Sequence, residues 1–259
     1  MIAVTDMHYR HPHAAVAVLN GMSFQAKSGQ LTAILGPNGS GKTTLFKCIS
    51  SIWKPQRGDV MYGGESILGT PHSKIARIIA VVPQEHEPPF PYSVLEAVSM
   101  GRAAHLGMFS VPSRSDYSKA EEAIARVGVA HLKDRPYTRI SGGERQLVLI
   151  ARALAQEAPV MLLDEPTSHL DFKNQVLVLK KVKEIAEQRK VTALMTIHDP
   201  NLAMLFCDRV VMINNGCVVS QGAAHEVITE ENLSQVYGID VSVVPVNGWR
   251  VIMPRLCES

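Results

Sequence analysis

Near-continuous apolar runs alternate along this chain with stretches whose apolar positions recur at helical spacing. Runs of this kind suit parallel strands buried on both faces. Strands are predicted at Leu31–Leu35, Ile78–Val82, Val160–Leu163, Thr192–Ile197 and Arg209–Ile213. Helices are predicted at Lys42–Ser51, Asn174–Gln188 and Asn201–Phe206. In the second helix Val176, Leu179, Val182 and Ile185 share one face, and Lys180, Lys181 and Lys183 lie elsewhere. This alternation predicts an α/β fold.

From about Glu87 to Glu157 the pattern changes. A proline-rich opening, HEPPFPYSV, precedes helical patterns at Ser93–Arg102, Ser115–Val127 and Gly142–Gln156, with no convincing strand between them. The segment reads as a helical insertion, residues 87–157, in one domain whose α/β core comprises 1–86 and 158–259. The tail carries short alternating runs at Cys217–Gln221 and Val241–Val246 around a helical piece near His225–Tyr237. No internal repeat or low-complexity tract is present.

The candidate chemistry begins right after the first of these strands. In AILGPNGSGKTTLFK, Gly36, Gly41, Lys42 and Thr43 fit the spacing G-x-x-x-x-G-K-[ST]. Glycines let the backbone approach phosphates and turn N–H groups toward them. The helix start adds its positive dipole end. Lys42 is placed to reach the β- and γ-phosphates, and the Thr43 hydroxyl to bind Mg²⁺.

A second strand, Val160–Leu163, ends in Asp164 and Glu165. Two carboxylates at the C-terminal end of a buried strand suit a ligand site. Asp164 then holds Mg²⁺ and Glu165 polarises the attacking water; the competing reading is two acids capping the next turn. Gln84 and His198 follow two further strands. Parallel strands present their C-terminal ends on one edge, so these residues belong near the glycine-rich loop Gly36–Thr43. Gln84 suits orienting water or holding Mg²⁺, and His198 suits donating to a γ-phosphate oxygen; either is otherwise a solvated loop residue. Tyr9 either stacks on adenine through its π face or packs.

Ser141 and Glu144 form a capping box, S-x-x-E. That explains both residues but not Gly142 and Gly143 between them. Each glycine inside a helix costs about 1 kcal/mol relative to alanine. Glycine is useful where something must touch the backbone closely, and bare N–H groups at a helix start make an anion site. One chain thus offers two phosphate-binding helix starts, although one nucleotide needs only the first. A two-fold pair answers this, with Ser141–Gly143 of each copy facing the γ-phosphate held by the other.

Bulk properties narrow the field. Of 259 residues, 46% are hydrophobic and 19% charged, enough for a core. Lys plus Arg numbers 26 against 24 acidic residues, which gives no case for nucleic-acid binding. Four scattered cysteines suggest neither a zinc knuckle nor a disulfide framework, and suit a reduced compartment. His8, His11 and His13 lack the cysteine or acidic partners that a metal module needs. No apolar run reaches the roughly 20 residues of a membrane span, and the start has no secretory pattern. A soluble, cytoplasmic chain is expected, with any membrane part supplied by another chain.

The set GPNGSGKTT, Gln84, ISGGERQ, VMLLDEP, SHLD and His198 resembles the ATP-binding cassette (ABC) ATPases, in family order and over nearly the whole chain. The resemblance implies a P-loop NTPase core with a mostly parallel sheet, an antiparallel β part and a helical insertion subdomain. It implies that Gly36, Pro37, Asn38, Gly39, Ser40, Gly41, Lys42, Thr43 and Thr44 form the Walker A motif and that Val160–Asp164 form the Walker B strand. Glu165 matches the catalytic base, Gln84 the Q-loop, Asp171 the D-loop and His198 the switch histidine. Ser141, Gly142 and Gly143 match the signature that meets the partner's ATP, and Tyr9 the adenine-stacking aromatic. The usual L-S-G-G-Q is here Ile140 to Glu144, and Glu144 is expected to turn back to the Ser141 N–H.

PYSVLEAVSMGRAAHLG is similar to the matching segment of importers for iron–siderophore, haem or cobalamin, through Val94, Val98, Gly101, Arg102 and His105, and a related metal or an oxyanion such as molybdate stays open as cargo. That implies two copies of this subunit at the cytoplasmic face of the inner membrane, two membrane-spanning permease subunits and an extracytoplasmic binding protein. A soluble ABC ATPase of the iron–sulfur assembly kind shares every nucleotide motif. DNA-repair relatives insert a long coiled coil between the Walker motifs, which this chain lacks. Phe90 and Tyr92 are expected to be exposed aromatics beside the Gln84 loop, passing closure to a partner.

Overall fold

The computed structural model describes residues 1–84, 90–107 and 110–255. The expected boundary between residues 86 and 87 lies outside them, as does Cys257. The chain runs through β1 (Ile2–Tyr9), β2 (Leu19–Ala26), β3 (Leu31–Leu35), α1 (Lys42–Ile49), β4 (Arg57–Tyr62), β5 (Glu65–Ser66), α2 (His72–Ile78) and β6 (Ile79–Val82). Then come α3 (Val94–Ser99), α4 (Arg114–Val127), α5 (Gly142–Ala155), β7 (Val160–Leu163), α6 (Phe172–Arg189), β8 (Thr192–Ile197), α7 (Pro200–Phe206) and β9 (Arg209–Asn214). It closes with β10 (Cys217–Ala223), α8 (Ala224–Val227), α9 (Glu230–Tyr237), β11 (Val241–Val246) and β12 (Trp249–Pro254).

Six strands form the central sheet in the order β10-β9-β3-β8-β7-β6. All neighbours are parallel except β9 and β10. Alternate residues of one strand serve different cores: Ile34 faces one, Leu31, Ala33 and Leu35 the other. Burial on both faces is why these strands carry continuous apolar runs. An antiparallel sheet, β2-β1-β4-β5, covers one face together with α1 and α2, and the helices from α3 onward cover the other.

Two expectations shift. Ile78 closes α2 instead of opening a strand. In α6 the buried stripe is Val178, Leu179, Val182, Ile185 and Ala186, with Val176 only partly covered.

The segment around Gly101 and Arg102 has a packing explanation. Gly101 lies against the Arg152 carbonyl of α5, where any Cβ would collide. Arg102, 5% exposed, donates to the Ala155 carbonyl at 2.7 Å, to Glu157 at 2.8 Å and to Asp116 at 3.1 Å. His105 meets the Gln156 carbonyl at 2.8 Å. Together these residues satisfy the carbonyls that a helix leaves open at its C-terminal end. They therefore fix α5, the helix that begins at Ser141. Hydrogen bonds from Ser113, then from Arg102, hold the Asp116 carboxyl down to about 2.

Arg102→Met should cost about 3 kcal/mol in denaturant unfolding, as expected when one partner of a buried ion pair is removed. Because the folded Asp116 value lies below its ordinary 3.8, its contribution is full above that value and lost as pH falls toward about 2. Asp116→Asn should flatten that part of an acid titration of stability.

Candidate nucleotide site

The central sheet places β3 next to β8, then β7, then β6. Their C-terminal ends share one edge, so the P-loop after β3 meets the residues that follow the other three strands. Gly39 and Gly41 take positive φ, 79° and 102°. At Gly41 a Cβ would press on Leu19 at 2.9 Å and the Val18 carbonyl at 3.1 Å. Gly41 caps α1 without any side-chain bond, which leaves the first N–H groups of that helix bare.

An open cavity of about 470 Å³ lies here, lined by Val18, Asn38, Gly39, Gly41, Lys42, Thr43, Thr44 and Glu165. The Lys42 ammonium is buried and donates to the Gly36 and Pro37 carbonyls at 2.8 and 2.9 Å. Burial pulls its pKa below the ordinary value, and Glu165 and Asp164 oppose that pull. Ser40 Oγ is buried with no hydrogen-bond partner among the described residues. A desolvated ammonium, an orphaned hydroxyl and bare helix amides all fit a polyphosphate. Thr43 and the carboxylate of Asp164 supply hard oxygen donors suited to magnesium.

Gln84, Glu165 and His198, predicted from three separate strand ends, come together. His198 Nε2 lies 2.5 Å from Glu165 Oε1. Gln84 donates to Oε2 at 3.1 Å, and Ser168 Oγ donates to the same oxygen at 3.0 Å. Glu165 stands at φ 46°, a left-handed backbone in a residue that has a Cβ. Such a conformation costs about 1–2 kcal/mol and persists only where its surroundings hold it. One support comes from a residue that the sequence pattern did not flag: the Thr196 hydroxyl accepts the Glu165 N–H at 2.7 Å and donates to Asp164 Oδ1 at 2.8 Å.

The double-glycine turn has two different causes. Ser141 caps α5, and Glu144 turns back to accept from the Ser141 N–H and hydroxyl, each at 2.7 Å. Those bonds hold the Glu144 carboxyl below the ordinary range. Gly143 is buried, and a Cβ there would reach Asn174 Cγ at 2.5 Å, so its missing side chain makes room for α6. Gly142 is exposed, with only Leu170 at an ordinary 3.8 Å. Packing thus explains Gly143 and leaves Gly142 without a structural reason. Ser141, Gly142 and Gly143 do not line the cavity of their own chain. Asp171, just across, caps α6 by accepting from the Asn174 N–H at 2.8 Å.

Tyr9 corrects an expectation. Its ring is 7% exposed and stacks on Trp53 at 5.3 Å, with His11 edge-on at 5.1 Å. A covered ring has no open face for adenine, and the apolar wall of the cavity comes from Val18. No signal in the sequence connects Tyr9 to Trp53. Phe90 is 60% exposed, as expected, and meets the partly buried Tyr92 edge-on at 5.9 Å.

Gly142→Ala should leave the isolated chain as stable, or more stable by up to about 1 kcal/mol, while lowering ATP turnover. Gly143→Ala should destabilise the fold and recover when Asn174 is also made Ala. Thermal melts beside a phosphate-release assay read both.

Among the described residues no helix is long and apolar enough to cross a membrane. Residues 19–168 match the family model described as ABC transporter. A Helicobacter pylori protein named probable iron chelatin transport ATP-binding protein is 38% identical over 88% of this chain and 89% of its own length. A metal-chelate type ABC transporter solved in an inward-facing conformation superposes with TM-score 0.86 at 30% identity, over 98% of this chain and 97% of that one. A bacterial ABC transporter cassette solved as a dimer superposes with TM-score 0.74 at 25% identity, over 86% and 99%. With the P-loop, the paired acids and the capped double-glycine helix all in place on this fold, the chain belongs to the ABC transporter family of ATP-binding cassettes.

Proposed function

We propose that this chain is the ATP-hydrolysing, nucleotide-binding subunit of a multi-subunit importer whose cargo is a metal chelate such as an iron–siderophore, haem or cobalamin. The observation that carries the ATPase reading is the meeting of Gln84 and His198 on the Glu165 carboxylate, at the edge where the P-loop lies. The cargo class is supported by the similarity to an iron chelatin transport protein and to a metal-chelate type transporter.

The residues divide the work. Gly36 to Thr44 receive the phosphates on backbone N–H groups, and Lys42 trades loop carbonyls for phosphate oxygens. Thr43, Asp164 and Gln84 would hold magnesium, which when bound neutralises developing charge on the phosphates. Glu165 takes the proton of the attacking water, with His198 and Gln84 orienting it. Ser141, Gly142 and Asp171 act across a two-fold interface, where a second copy presents its bare α5 amides to the γ-phosphate. The similarity to a cassette solved as a dimer supports that pairing. Segment 87–157 then moves as the unit that carries the signature, and Phe90 with Tyr92 docks on one of two permease subunits. The chain works as a peripheral protein on the cytoplasmic face of the membrane and meets the binding protein only through the permease.

Glu165→Gln should lower ATP turnover by about 10²–10⁴-fold and accumulate an ATP-dependent dimer in light scattering. Turnover near wild type sinks the assignment of the base; a strictly monomeric variant at high ATP sinks the two-fold site. Phe90→Ala with Tyr92→Ala should preserve ATPase activity of the purified subunit and abolish cargo uptake in reconstituted vesicles. Normal uptake removes the docking assignment.

A further inference from the structure

Thr196 lies inside an apolar strand and is completely buried. A hydroxyl has one hydrogen to give and lone pairs to receive with. Here the hydrogen goes to Asp164 Oδ1 at 2.8 Å, and the Glu165 N–H comes in at 2.7 Å. Both bonds follow from strand register: Leu163 of β7 pairs with Met195 of β8, so the next residues along, Asp164 and Thr196, stand side by side. The Asp164 N–H is already bonded to the Val82 carbonyl at 2.9 Å. The Glu165 N–H, just past the end of β7, meets no backbone carbonyl among the described residues, and Glu165 itself is left-handed at φ 46°. Thr196 therefore gives that amide the acceptor that no backbone carbonyl supplies.

We propose that Thr196 is a positioning residue for ATP hydrolysis. Its hydroxyl holds Glu165 in the left-handed turn that aims the carboxylate at His198 and Gln84. It also occupies Asp164 Oδ1, which directs the other carboxylate oxygen toward the nucleotide. The role rests on the ATPase reading above and adds to it a link between the two acids, made from the strand that also carries His198.

Valine keeps the shape of threonine and removes both bonds, whereas serine keeps both and removes a methyl group. Thr196→Val should lower kcat by about 10–100-fold, the usual effect of losing a hydrogen-bond partner behind a metal-ligating carboxylate, the role proposed for Asp164. Its KM for ATP should stay within about threefold of wild type, because the phosphate cradle is untouched. Thr196→Ser should keep kcat within about threefold. Amide hydrogen exchange in residues 163–168 should quicken in Thr196→Val and not in Thr196→Ser. Should the valine variant fail to fold, Thr196→Ala against Thr196→Ser carries the same contrast. A kcat for Thr196→Val within twofold of wild type overturns the proposal, and so does a loss in Thr196→Ser as large as in Thr196→Val. If the wild-type chain itself releases no phosphate from ATP, the ATPase reading fails, and unchanged exchange in the valine variant would then reject the Thr196 link on its own.

Discussion

The site depends on the parallel register of four strands. β3, β8, β7 and β6 run side by side in one direction, so whatever follows each strand arrives at the same edge. The P-loop, His198, the Asp164–Glu165 pair and Gln84 are far apart in sequence and close in space for that reason alone. A slip of one residue between β7 and β8 would send alternate side chains to the wrong core and part Asp164 from Thr196. The apolar packing on both faces of the sheet prevents the slip. Core and chemistry are thus set by one pairing.

Electrostatic supply is the second theme. The P-loop gathers backbone amides, a desolvated ammonium and an unpartnered hydroxyl, all short of negative charge. The start of α5 repeats part of this arrangement without a lysine, and its glutamate is bent back onto the serine cap. Glu144 stays a carboxylate, turned back onto the Ser141 N–H and hydroxyl. The Ser141 turn is left with the amides of Gly142 and Gly143 free of any side-chain acceptor among the described residues and with Ser141 and Gly142 exposed, a form suited to completing a site on a second copy.

The helical segment serves the same end by packing. Gly101 lets the backbone lie against α5, Arg102 closes the Ala155 carbonyl at the end of that helix, and Asp116 and Glu157 neutralise the buried guanidinium. Residues that look like a sequence signature of importers are, in this structure, a lock on the far end of the signature helix. The two ends of α5 are thus each held by named contacts, the Ser141–Glu144 capping box at its start and Arg102 with His105 at its end.

Much of this was legible in the order of residues, because P-loops, capping boxes and strand-end acids are local and their spacing carries their geometry. The antiparallel sheet was not assigned strand by strand. β1 and β2 alternate apolar with polar positions and are broken by a bulge at Asp6, φ 46°, so no continuous run marks them. Tyr9 was misjudged because the ring that covers it, Trp53, lies 44 residues further on. The sequence by itself determined the fold class, the glycine-rich turn with its lysine, and which acids, glutamine and histidine follow the strands that meet it, since each is encoded within a few neighbouring residues. Only the tertiary structure decided that Gly143 makes room for Asn174 while Gly142 stays bare, and that a buried threonine joins the two acids. Those facts belong to contacts between distant segments, and a glycine or a strand threonine looks the same in a sequence whatever the fold later sets against it.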